Sequence, residues 1–127
     1  MLRYTFNENS KRSAKVYGRG LRISPKNSKI VCSTVSGKQL EKGKKILENL
    51  ISQKSSLDGK YYTNTSKELL ELLKSAEGNA EFKGLDTERL FIHASAHKGF
   101  SFWRPRAFKM RGQRRKVTNV QVVLEQR

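Results

Sequence analysis

Apolar residues recur with a period of two near both ends of the chain and with helical period in its middle. Residues 15–24, KVYGRGLRIS, set Leu21 and Ile23 on either side of Arg22, which predicts a short strand with one basic face. Ser24-Pro25 then supplies an N-cap residue and a first-turn proline, whose missing N–H would have had no helical partner. The helix so opened covers residues 25–36, with Ile30, Val31, Thr34 and Val35 turned inward and Gly37 fitting its stop. In residues 39–51, QLEKGKKILENLI, a broad apolar face of Leu40, Ile46, Leu47, Leu50 and Ile51 predicts a second helix. Residues 52–63 are polar, contain glycine and read as a loop. Thr65 with Glu68 three residues on is a capping-box pattern that opens a third helix, residues 66–82. Its stripe is Leu69, Leu72, Leu73, Ala76 and Ala80, and Gly84 lies just past its end.

Alternation returns in residues 89–97, RLFIHASAH. Leu90, Ile92, Ala94 and Ala96 share one face, and Phe91, His93, Ser95 and His97 the other. Residues 117–124, VTNVQVVL, repeat the pattern with Val120, Val122 and Leu124 on one side. Between these strands lies KGFSFWRPRAFKMRGQRRK, with Pro105 and Gly112 near its middle. Two strands flanking such a stretch predict a hairpin over about 98–117. Arms of about nine residues each would reach roughly 30 Å at ~3.3 Å per residue. An arm with few apolar contacts of its own is expected to be mobile alone and ordered by a partner.

Charge sharpens this picture. The 127-residue chain, long enough for one domain, carries 27 Lys and Arg against 11 Asp and Glu, a formal net charge of +16. The excess is confined to the ends: +8 over residues 1–38, −1 over 39–88 and +9 over 89–127. No acid stands between Glu88 and Glu125. The middle is balanced like any helical surface, whereas each end is suited to a polyanion, whose charge would relieve the self-repulsion. In the hairpin, Arg104, Arg106, Lys109, Arg111, Arg114, Arg115 and Lys116 are interleaved with Phe100, Phe102, Trp103 and Phe108. Guanidinium forks pair with phosphate, and the aromatics can stack on bases, a combination that suits irregular RNA. Charge alone does not separate RNA from DNA, but helix-turn-helix, zinc-finger and ribonucleoprotein-sheet patterns are all missing.

Other chemistry fares poorly. No stretch of 18 apolar residues occurs, and the opening MLRYTFNENSKR lacks the apolar run of a secretory signal, so an intracellular, membrane-free protein is expected. The single cysteine, Cys32, can form no internal disulfide or thiolate zinc site and reads as a buried structural thiol. His93 and His97 on a strand would lie roughly 13 Å apart, too far to share an ion. His97, followed by Lys98, suits phosphate or ribose contact instead. The acids of the third helix, Glu68, Glu71, Glu77 and Glu81, read as solvated surface, far from the basic stretch where a nuclease would need them. Gly18-Arg19-Gly20 is too short for a phosphate loop.

Four segments, LRISPKNSKIV (21–31), LLKSAEGNAEFKGLD (72–86), AHKG (96–99) and RPRA (104–107), resemble in this order the universal large-subunit ribosomal protein family numbered twenty-two in bacteria and seventeen in eukaryotes. The 72–86 block and the opening MLRYTFNENSKRSAK look like the archaeal and eukaryotic branch. The resemblance covers nearly the whole chain and implies a single α+β domain over 1–127: three helices packed on a small antiparallel sheet, with a long protruding β-hairpin. It implies a structural, non-enzymatic constituent of the cytoplasmic ribosome that needs no cofactor or metal. Implied partners are large-subunit rRNA, neighbouring ribosomal proteins and the nascent polypeptide in transit; no membrane or homo-oligomer is implied. Carried over residue by residue, Pro105, Arg106 and Ala107 match the tip motif lining the exit tunnel, preceded by the basic Arg104 and followed by Phe108, Lys109 and Met110. Ser24, Lys26 and Lys29 match the RNA-touching start of the first helix. Together with Arg19, Arg22, His97, Lys98, Trp103 and the hairpin cations these form the expected RNA-binding set. The chain departs from relatives in residues 108–112, in Asn119, where a histidine is common, and in a shorter loop after the second helix. Two other readings stand beside this one: an extra-ribosomal nucleic-acid-binding or regulatory module, and an RNA-processing enzyme using an acid, His93 or His97.

Overall fold

The computed structural model describes residues 4–7, 11–105, 109 and 111–127. Its elements follow in chain order: β1 (Ser13–Leu21), α1 (Pro25–Val35), α2 (Leu40–Ile51), α3 (Thr63–Phe82), β2 (Leu90–Lys98), β3 (Phe102–Trp103), β4 (Arg114–Arg115) and β5 (Thr118–Gln126). A three-stranded antiparallel sheet has the order β1-β5-β2, so the last strand is its centre. The small β3–β4 ladder pairs Phe102 with Arg115 and Trp103 with Arg114, and it continues the β2–β5 pair outward as a hairpin. The fold is α+β, as the resemblance implied.

Alternation decides which face of the sheet the helices cover. Ala14 of β1, Leu90 and Ile92 of β2, and Val120, Val122 and Leu124 of β5 are buried together with Val31, Cys32, Val35, Leu40, Leu47, Leu69, Leu73, Ala76 and Ala80 of the helices. Ala94 and Ala96 pack against the rim of this core. Burial of each large aliphatic side chain contributes roughly 1.5–3 kcal/mol, enough to hold three short helices on three strands. A Lys44–Glu77 ion pair ties α2 to α3.

Several elements start or face differently from their prediction. The first strand begins at Ser13 and ends at Leu21, because its inward positions are Ala14, Val16 and Gly18. Its register shifts between Gly18 and Leu21, where Gly20 takes φ +70°. Ile23 therefore lies beyond the strand, although it is buried. Ser24 occupies the N-cap of α1 and Pro25 its first turn, but the Ser24 hydroxyl makes no capping bond. Ser28 and Cys32 are buried in that helix, whereas Ile30 and Thr34 are only half-buried. The Thr65–Glu68 pattern is not a cap. α3 begins at Thr63 after a left-handed Tyr62, and Thr65 is buried one turn inside. Packing against the core outweighs a capping gain of about 1 kcal/mol.

The outer face of the sheet carries a cover that the sequence reading did not anticipate. Residues 4–7 cross it. The Thr5 amide donates to Gln121 Oε1 at 3.0 Å, and Phe6 stacks on His93 with ring centroids 3.7 Å apart. Tyr4 meets Tyr17 edge-on. Gln121 and Val123, on the outward side of β5, are thereby almost fully buried.

Candidate nucleic-acid interface

The hairpin leaves the sheet through a tight junction. The Gly99 N–H donates to the Val117 carbonyl at 2.8 Å, and the Arg104 N–H to Gln113 at 3.0 Å. A Cβ on Gly99 would lie 2.9 Å from Val117 Cγ1 and 3.3 Å from the Val117 carbonyl carbon, so glycine sets how closely the two arms meet. Beyond the junction, Arg114 donates from Nε and from its terminal nitrogen to Ser101 Oγ at 2.9 and 2.6 Å. The Arg22 guanidinium lies 4.7 Å above the Phe102 ring, which ties the end of β1 to the hairpin by a cation–π contact.

On the helix side, the junction and the start of α1 enclose a groove of about 410 Å³. Ser24, Pro25 and Lys26 form one wall; Lys98, Ser101, Arg114, Arg115 and Lys116 form the other. The chain thus brings residues about ninety positions apart in sequence, Ser24 and Arg115, into one cationic cleft. Loss of hydration, and then the charges of Arg104 and Arg22, hold the Arg115 guanidinium below its usual range. Like charges crowded in this way are stabilised by an anion set between them. None of Arg19, Arg22, Lys26, Lys29, Lys98, Arg104, Lys109, Arg111, Arg114, Arg115 or Lys116 pairs with a carboxylate among the described residues.

The remaining predicted residues spread around this groove. Lys29 faces a shallower depression with Ser33 and Ser95, between α1 and β2. Arg19 is exposed in the irregular end of β1. His97 lies on the outer face of the sheet, beside Tyr17, and not in the groove with its neighbour Lys98. Trp103 is 62% exposed, and Arg104, Pro105, Lys109 and Arg111 are exposed beyond it. Arg106, Ala107, Phe108 and Met110 of the expected tip lie outside the described residues.

His93 and Cys32 lie elsewhere in the fold, each in surroundings of its own. His93 lies 3.1 Å from Glu125 Oε2, which also meets Arg127, so His93 has a partner of its own apart from His97. Among the described residues no three His, Cys, Asp or Glu side chains are placed to hold a metal ion. Cys32 is buried, and that burial pushes its thiol up to about 12. A thiol so hard to ionise is a packing group, as predicted.

Comparison with known proteins agrees with this surface. The family model of ribosomal protein L22p/L17e matches residues 16–125. The chain belongs to this ribosomal protein family. It is 34% identical to the large ribosomal subunit protein uL22 of Methanopyrus kandleri over 91% of the chain and 88% of the relative. It is 30% identical to the uL22 protein of Methanocaldococcus jannaschii over 98% of the chain and 95% of that protein. For the uL22 protein of Archaeoglobus fulgidus the identity is 32%, over 94% and 92%. These relatives fit the archaeal and eukaryotic branch of the L22p/L17e family. The M. jannaschii alignment spans 148 positions against a chain of 127, so that relative carries residues this chain lacks.

Proposed function

We propose that the protein is a structural constituent of the large ribosomal subunit that binds and bridges segments of its rRNA. The observation that carries the reading is the cleft between α1 and the hairpin, where five cations, Lys26, Lys98, Arg114, Arg115 and Lys116, meet without a carboxylate among the described residues. Phosphates supply the missing counter-charge. Arg114 and Arg115 offer forked donors, and Lys26, Lys98 and Lys116 act as point charges. One RNA segment is held in this cleft, and the exposed cations farther out, Arg104, Lys109 and Arg111, reach another. By family resemblance, Pro105, Arg106, Ala107, Phe108, Lys109 and Met110 form the tip that lines the nascent-peptide tunnel. The role needs no covalent step, and the poorly ionisable thiol of Cys32 supports a non-catalytic reading.

Sedimentation tests the assignment. The protein is expected to travel with large subunits through a high-salt gradient and to be scarce at the top. A predominant free pool would favour the extra-ribosomal regulator instead. RNA cleavage or modification by the pure protein, lost on changing His93 or His97, would favour the enzyme.

A further inference from the structure

We propose that the outer face of the sheet, where the hairpin begins, is a stacking site for an unpaired RNA base, built from Tyr17, His97 and Phe100 and separate from the phosphate cleft on the helix side. The inference rests on the rRNA-binding reading and gives this second face a chemical role. Residues 4–7 cover the outer face only in part. Tyr4 and Phe6 lie over Tyr17 and His93, and Thr5 over Gln121, which leaves the row of His97 and Asn119 next to the hairpin open. His97 is exposed and Asn119 half-exposed there.

The rim of this opening is aromatic and cationic. The Tyr17 and His97 rings are 6.3 Å apart with planes 30° from parallel, close to a common platform. Phe100 is 61% exposed and rests over Gly20, where an added Cβ would come within 3.4 Å of its ring. Gly20 is linked to the same platform, since its N–H donates to Asn119 Oδ1 at 2.9 Å. That bond fixes the Asn119 amide, so Asn119 Nδ2 points to His97 Nε2, 3.4 Å away. The amide so placed holds the edge of the His97 ring beside Tyr17. A ring held at its edge by an amide is oriented for stacking on a base. The next aromatic along the hairpin, Phe102, is already covered by Arg22, whereas no cation lies over Phe100 among the described residues. Arg19, exposed beside Gly20, supplies a charge for the phosphate of the stacked nucleotide. Stacking platforms flanked by cations hold single-stranded RNA with little sequence preference.

The test uses the full chain and two RNAs: a short oligouridylate carrying one 2-aminopurine, whose fluorescence drops on stacking, and a duplex of equal length. Binding of the single strand is expected to quench the probe. His97→Ala and Phe100→Ala should each weaken single-strand binding roughly 5- to 150-fold. They should abolish the quench, leave duplex affinity alone and keep the salt dependence. His97→Phe, which keeps a ring, should restore the quench. Unchanged quenching in both alanine variants would overturn the site. So would a shallower salt dependence in His97→Ala, which would mean that His97 meets a phosphate. If the parent chain bound neither RNA, the rRNA-binding reading would fall as well; duplex binding without single-strand quenching would remove the stacking site alone.

Discussion

Removing two guanidiniums from the hairpin should make RNA binding less sensitive to salt without unfolding the domain. Arg104 and Arg111 are exposed and have no carboxylate partner among the described residues. Arg104 contributes to the hairpin ladder through its backbone, which a substitution by alanine keeps. Six described cations stand on the outer hairpin: Arg104, Lys109, Arg111, Arg114, Arg115 and Lys116. If each neutralises one phosphate, their share of the slope of log affinity against log salt is roughly −4.2 to −5.4. Raising salt from about 50 to 200 mM then weakens binding roughly 300- to 2,000-fold. In the Arg104→Ala, Arg111→Ala double variant the same change should cost only roughly 50- to 150-fold. Surface substitutions of this kind move stability by within about 0.5 kcal/mol, so the melting temperature should shift by about 2 °C at most. Filter binding of a large-subunit rRNA fragment across a salt series, with a thermal melt of each protein, measures both. An unchanged slope would refute the phosphate assignment. A fall in melting temperature of more than about 5 °C would show that these arginines hold the fold.

The junction and the core allow two further tests. Gly99→Ala sets a Cβ against the Val117 side chain and backbone and cannot relax without disturbing the Gly99–Val117 hydrogen bond. It should destabilise by roughly 1–3 kcal/mol in urea titrations, and a neutral effect would contradict the close approach of the arms. Burial pushes the Cys32 thiol from 9.0 to about 12, so the neutral thiol stabilises the fold fully below about pH 9. As pH rises from 9 towards 12 the unfolded thiol ionises first, and this contribution declines by at most about 1.4 kcal/mol per pH unit. Cys32→Ala should accordingly lose stability less steeply over that range, and parallel alkaline curves for the two proteins would argue against a buried thiol.

Most of the architecture was legible in one sequence because each element buries one face. The stripe Leu69, Leu73, Ala76 and Ala80 predicted α3, and the alternation of Leu90 and Ile92 with His93 predicted β2. The hairpin was legible for a different reason: a stretch with no acids and many arginines cannot form a core. Local signals failed where long-range packing competed with them. Thr65 and Glu68 look like a cap, yet Thr65 is drawn into the interior and the helix starts earlier. In Tyr4 and Phe6 the period of two was present, but its target, the outer side of β5, is more than a hundred residues away.

The sequence by itself determined that this protein is a compact body with a cationic finger, since hydrophobic period and charge are properties of the chain before it folds. Only the tertiary structure decided what the cations do together. It set Ser24 and Lys26 against Arg115 and Lys116 in one cleft and laid Tyr4 and Phe6 across the outer face of the sheet. Neighbours on a strand point to opposite sides, whereas residues far apart in sequence meet wherever strand register and helix packing bring them.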